Sequence, residues 1–220
     1  MLFPKTTRTV NSVIINLIIR IKFRKKVHLD GFLWVEGTIL LKLESTKKPS
    51  LHIGKNCKFL GSVELRTRDS ALLVIGNGVN IDGPARFVAA GKNSFIRISD
   101  QCKFTPYSII NGGGNVEIGS GSVFGPRFTL NANQHIFSAD SRIVESGFEH
   151  IDIFIGENVW SGSDVSVIPG ARINSDAVLG ANSVVNSSIG KGEIFAGSPA
   201  RKIGEVGKNR KNDMNTRKSN

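Results

Sequence analysis

Four histidines, His28, His52, His135 and His150, are the side chains of this 220-residue chain best suited to moving a proton near neutral pH. Two of them lie in the N-terminal part. The other two share one stretch, residues 130–154 (LNANQHIFSADSRIVESGFEHIDIF), which is polar and irregular. Long insertions of this kind in compact domains are usually functional or disordered. His135 stands near the start of the stretch and is therefore the first candidate for a general base, with His150 second. A catalytic zinc centre would need three well-placed ligands. No two of the four histidines have the short spacing that would align them, so no metal is expected.

The elements that must position these residues are legible as a six-residue period. Positions 155, 161, 167, 173, 179 and 185 read Ile, Ser, Val, Ile, Leu, Val, and the fifth positions Val159, Val165, Ala171, Ala177 and Ser183 are all small. A period of six fits neither a helix nor a simple alternating strand. It fits a solenoid whose every side is one short strand and a tight corner. The pairs Ile53-Gly54, Ile75-Gly76 and Ile118-Gly119, with Ile98-Ser99 beside them, carry the same register back at spacings of 22, 23 and 20 residues. Each coil then has three sides, the apolar first position points inward, and Gly or Asn beside it is expected to supply the corner through a positive φ. A uniform solenoid has no cleft of its own, which directs attention to the one large departure, residues 130–154.

This places one domain at residues 31–200, with a capping segment at 1–30 and a basic tail at 201–220. The net charge of +11 is concentrated at the two ends: residues 20–26 hold five Lys or Arg, and the last twenty residues hold seven against two acids. One Tyr and no aromatic–basic interleaving in the repeat argue against a nucleic-acid partner. Residues 13–23 (VIINLIIRIKF) are too short and too interrupted to span a membrane. Wound as a helix, they align Ser12, Asn16 and Arg20 on a narrow polar stripe. Two roles stay open: capping the solenoid end against edge-to-edge growth, and peripheral membrane contact through the basic cluster at 24–26. Cys57 and Cys102 occupy equivalent positions two coils apart, about 9–10 Å at the strand spacing. That is too far for a disulfide, and reduced thiols fit a cytoplasmic setting.

The stretch 155–200 (IGENVWSGSDVSVIPGARINSDAVLGANSVVNSSIGKGEIFAGSPA) resembles the hexapeptide-repeat acyltransferases, in particular the galactoside and maltose acetyltransferases and the sugar O-acetyltransferases of capsule and O-antigen pathways. IGENVW with the following Gly-Ser, Pro169-Gly170, GANSVV and the closing AGSPARKI carry the resemblance. It implies an all-β fold, a left-handed parallel β-helix with a short N-terminal helix and a C-terminal tail. It implies acetyl-CoA as co-substrate, a sugar acceptor and a homotrimer with sites shared between chains. By the same resemblance His135 matches the general base and the Ser163 N–H the oxyanion donor. Trp160 and Gly162 match the groove beside them and Gly180 and Ala181 the wall along the pantetheine arm, while Asn186 stands where a Thr commonly lies on the CoA side. Lys191, Arg201 and Lys202 match the cations near the CoA phosphates.

Departures from the family pattern bear on the acceptor. Arg127 stands where the galactoside branch has Asn, and Asn133 where many members have Asp. With Arg142 in the insertion, Arg127 raises the expectation of an acidic acceptor; a bracing role for Arg127 is the alternative. Ser161 replaces an aliphatic inward residue, either as a tolerated small core residue or as room for the acyl or acceptor group. Within the same fold an amino-sugar N-acyltransferase and an antibiotic acetyltransferase stay open, because these residues do not separate an alcohol acceptor from an amine. A γ-carbonic-anhydrase-like metalloenzyme and a non-catalytic scaffold are the readings from other classes.

Overall fold

The computed structural model describes residues 5–44 and 48–207. The chain winds as a three-sided parallel β-helix. Face one is an eight-stranded sheet running from Val27–Leu29 through Leu51–Ile53, Leu72–Ile75, Phe95–Ile98, Val116–Ile118, Ile153–Ile155 and Arg172–Ile173 to Ser188–Ile189. Faces two and three are joined into one sheet by the ten-residue strands Trp34–Leu43 and Lys58–Thr67, which run on across a corner and pair along their whole length. Face two continues through Asn80–Asp82, Lys103–Phe104, Val123–Phe124, Trp160–Ser161 and Val178–Leu179 to Glu193–Ala196. Face three continues through Ala85–Ala89, Ser108–Asn111, Thr129–Asn131 and Ser166–Val167 to Val184–Val185.

The six-residue register lies where the sequence places it. Ile155, Ser161, Val167, Ile173, Leu179 and Val185 are all fully buried, and so are the small fifth positions from Val159 to Ser183. The expected reason for the corner glycines is corrected. Gly54, Gly76, Gly119 and Gly156 are not the positive-φ residues. A Cβ on Gly54 would stand 2.7 Å from the Gly76 carbonyl carbon, so these glycines let one coil lie directly on the next. The left-handed conformation falls two residues later, at Asn56, Gly78, Gln101, Gly121, Asn158 and Asp176, with φ between 54° and 70°. From Gly78 onward the N–H of each donates to a carbonyl of the preceding coil, as in Asn158 N–H to Ser120 O at 2.9 Å.

The domain edges also move outward. Val27–Leu29 is already a strand of face one, and Arg201–Glu205 is not tail but an antiparallel strand against Glu193–Ala196. The basic residues from 208 onward lie outside the described residues. The helix Lys5–Lys22 packs against the first long strand. Its polar stripe replaces a missing coil. Asn16 Nδ2 donates to Leu33 O at 2.7 Å, and Leu33 N–H donates to Asn16 Oδ1 at 3.0 Å. Ser12 Oγ bonds both Val35 O and Val35 N at 3.0 Å, and Arg20 Nη2 donates to Gly31 O at 2.8 Å. Backbone groups that would otherwise form an open sheet edge are thus satisfied by side chains. Among the described residues no helix is long and apolar enough to cross a membrane.

Candidate active site

The insertion leaves the coil after Thr129–Asn131 and returns at Ile153–Ile155. It forms a hairpin in which Asn133–His135 pairs antiparallel with Phe148–His150. Asn133 stands opposite His150 and His135 opposite Phe148. Directly opposed residues share a face, so these four line one side of the hairpin. The His135 and Phe148 rings are in contact, with centroids 4.2 Å apart. Gln134 and Glu149 occupy the other side and bond each other at 2.9 Å. Both histidines are exposed to solvent.

The hairpin leans toward the N-terminal coils, and a run of three glycines, Gly112-Gly113-Gly114, makes this approach feasible. A Cβ on Gly113 would run into the His150 ring and stand 2.7 Å from Asn133 Cβ. The hairpin side that carries the histidines overhangs two stacked corners, 68–70 and 90–92. Together they enclose a cleft of about 590 Å³, whose lining includes Arg68, Asp69, Lys92, Asn133, Phe148 and His150. Sequence reasoning missed Arg68 and Lys92, which precede the hairpin by whole coils. The run of glycines 112–114, one coil before the insertion, was the available signal.

The other expected site residues lie elsewhere on the prism. Trp160 is half exposed on face two. Gly162, Ser163, Gly180 and Ala181 form the corner between faces two and three, where a Cβ on Gly162 would stand 2.7 Å from Ala181 N. Among the described residues no acceptor bonds the Ser163 N–H. His135 lies at the corner between faces three and one. Within one chain, then, the width of face three separates His135 from Ser163.

Several of the expected cations are already paired. The Arg127 guanidinium grips the Asp164 carboxylate with two parallel hydrogen bonds, Nε to Oδ1 and Nη2 to Oδ2, the latter at 2.6 Å. This hydrogen bonding raises the Arg127 pKa and lowers that of Asp164. Arg127 thus braces two adjacent coils, on a corner remote from the cleft, and does not present a free charge to an acceptor. Arg142 is paired with Glu145 within the insertion. Lys191 lies 3.6 Å from Asp176. Lys202 bonds Glu193 and Glu205, each at 2.8 Å, which raises its pKa and lowers that of Glu193. Arg201 is exposed and donates to the Ala200 carbonyl at 2.9 Å. Asn186 is exposed on the corner after the last strand of face three. Ser161 is fully buried, and its Oγ accepts the Gly125 N–H at 3.2 Å, so it offers neither space nor a hydroxyl to a ligand.

Comparison with known proteins agrees with this architecture. No family model matches the chain. The galactoside O-acetyltransferase of Lactococcus lactis is 29% identical over 153 residues, covering 59% of this chain and 73% of that protein. The dTDP-4-amino-4,6-dideoxy-D-glucose acyltransferase of Escherichia coli is 29% identical over 162 residues, covering 71% of this chain and 82% of that protein. Four further curated relatives are matched over between 31% and 63% of their own lengths. Among solved structures, the polysialic acid O-acetyltransferase OatWY superposes with a TM-score of 0.57 at 21% identity, covering 81% of this chain and 88% of that one. The six-residue register and the three-sided coil agree with these relatives: the chain is similar to hexapeptide-repeat acyltransferases and has the fold of a three-sided parallel β-helix.

Proposed function

We propose that this protein is an acetyl-CoA-dependent O-acetyltransferase whose acceptor is a sugar of a surface polysaccharide or of its precursor. The observation that carries the reading is the hairpin that bears His135 against Phe148 and sets Asn133, Phe148 and His150 over a cleft with exposed Arg68 and Lys92, on hexapeptide coils. The cleft is open to solvent along these residues, which suits one sugar unit of a longer glycan. In this reading His135 removes the acceptor hydroxyl proton as the oxygen attacks the thioester carbonyl. The Ser163 N–H donates to the resulting oxyanion. The new ester bond forms, the carbon–sulfur bond breaks, and the imidazolium returns its proton to the departing CoA thiolate. Trp160, Gly162, Gly180, Ala181 and Asn186 border the CoA groove, and Arg201, which has no carboxylate partner among the described residues, meets the phosphates. We place the reaction in the cytoplasm, where acetyl-CoA is made.

His135 and Ser163 stand on different corners of one prism. The reading therefore requires a trimer in which the histidine of one chain faces the Ser163 corner of the next, a closed threefold ring. No metal is assigned a role. Acetylation of an amine on an amino sugar is the second reading, favoured by the Escherichia coli relative named for a 4-amino sugar.

His135→Ala is expected to lower kcat by about 10²–10⁴-fold with CoA affinity unchanged, read by thiol release and calorimetry on a panel of neutral and amino sugars. Retention of a tenth or more of wild-type kcat would transfer the role to His150. Mixing His135→Ala chains with chains altered at Ala181→Trp is expected to restore activity in mixed trimers. A fully active monomer by light scattering would overturn the shared site.

A further inference from the structure

The N-terminal helix is amphipathic in the inverted sense. Surface helices of soluble proteins turn an apolar stripe to the core and polar residues to water. Here the docked stripe contains Ser12 and Asn16, both buried, together with Ile19 and the partly buried Phe23. The outward side carries Val10, Val13, Ile14, Leu17, Ile18 and Ile21, all exposed, with Leu17 at 52% and Ile21 at 72%. At about 100° per residue these six fall within an arc of about 140° opposite the docked stripe. Arg20 and Lys22, both exposed, fall about 100° to either side of its centre.

Two observations select the occupant of this face. Residues 5–29 contain seven Lys or Arg and no Asp or Glu. A second copy of the same helix would bring two such segments together, and like charges oppose that. An anionic lipid surface satisfies both features, since apolar side chains enter the acyl boundary while flanking Arg and Lys extend to the headgroups. The helix has 18 residues, is unbroken, and lies across the end of the prism, so its outward side is unobstructed by the coils.

We infer that the outward face of helix Lys5–Lys22 is a docking surface for anionic membrane, with Lys22, Arg24 and Lys25 contacting lipid headgroups and the helix lying in the interface plane. The coils then stand on the membrane through the same helix that closes their first sheet edge. This rests on the helix alone and is independent of the acyl-transfer reading.

The test uses the full chain with vesicles of phosphatidylcholine alone and of phosphatidylcholine with phosphatidylglycerol, read by flotation. Wild type is expected to float with the anionic vesicles and to lose about fivefold in partitioning for each headgroup contact removed by Lys22→Ala, Arg24→Ala or Lys25→Ala. The triple variant Ile14→Ser/Leu17→Ser/Ile21→Ser is expected to lose vesicle binding while keeping its circular dichroism spectrum, because all three side chains are exposed. Wild type that does not float, or a triple variant that floats undiminished, would overturn the inference. So would a triple variant whose only change is a smaller mass by light scattering, which would show that a second copy covers the face.

Discussion

The coils before the insertion and those after it follow one corner rule with different side lengths. Before it, successive coils take 22, 23 and 20 residues; from Ile155 to Ile173 a coil takes 18. The core tracks this difference. On face two the inward column reads Phe59, Ile81, Phe104, Phe124, then Ser161 and Leu179. The rings of Phe87, Phe104, Phe124 and Phe128 run in contact, with successive centroids 4.9, 4.9 and 4.3 Å apart. The shorter coils are filled with Val, Ile, Leu, Ala and Ser, up to Phe195, which ends the face-two column. The longer coils carry the stacked aromatic rings, and the coil from Ile155 to Ile173 holds aliphatic and small residues. Ser161 is one of these small residues, one coil beyond the Phe124–Phe128 contact.

The sharpest test of that contrast removes a ring from the wide half. Phe124→Ala is expected to cost about 3–5 kcal/mol, whereas Ile173→Val in the narrow half costs about 0.5–1.5 kcal/mol, both measured by urea denaturation. Equal losses would show that the two halves are packed alike. A second, smaller effect separates the two kinds of corner glycine. Gly156→Ala puts a methyl group against the Ser175 backbone and is expected to cost about 1–3 kcal/mol. Gly121→Ala meets nothing within 4 Å and pays only for its φ of 70°, about 1–2 kcal/mol. Gly121→Asn should recover part of that loss, and Gly156→Asn should not. A reversed order in thermal denaturation would break the distinction.

The smallest effect concerns the thiols of the wide half. Burial pushes the Cys102 thiol up to about 11 from an ordinary value of 9.0, and Cys57 is also raised. A raised pKa means that the folded state holds the proton more tightly. The associated stability is therefore complete below pH 9 and declines as pH rises toward about 11. Alkylation at pH 8 should be negligible in the native protein and reach both cysteines in denaturant. Rapid native modification would show that these coils open readily.

The register was legible because each position is constrained locally: Ile155, Val167 and Ile173 must be apolar, and Val159 and Ala171 must be small, whatever lies several coils away. The handedness was not, since periodicity is the same for either hand. The Arg127–Asp164 pair joins residues 37 positions apart across an insertion, so neither residue announced its partner. The Ser12–Asn16–Arg20 stripe could be drawn from helical spacing, but its bonds to Leu33, Val35 and Gly31 depend on where the first coil ends. His135 and His150 were legible as chemistry within an excursion. The cleft beneath them was not, because Arg68 and Lys92 reach it only through stacking.

The side-chain edge that Asn16 and Ser12 present to the first coil fixes an origin from which height can be counted. Face one takes four steps from Val27–Leu29 to Val116–Ile118, the strand of the coil that bears the hairpin. At about 4.8 Å per step, the histidines are carried on a coil roughly 19 Å from that origin. A whole coil added below the Arg68 corner would raise the site by one step and leave its local geometry intact, whereas a coil removed above that corner would take Arg68 or Lys92 out of the cleft. Distance from the base and chemistry at the site are thus separately adjustable, so coil number below that corner can vary as a measure of reach without any change in what the hairpin does.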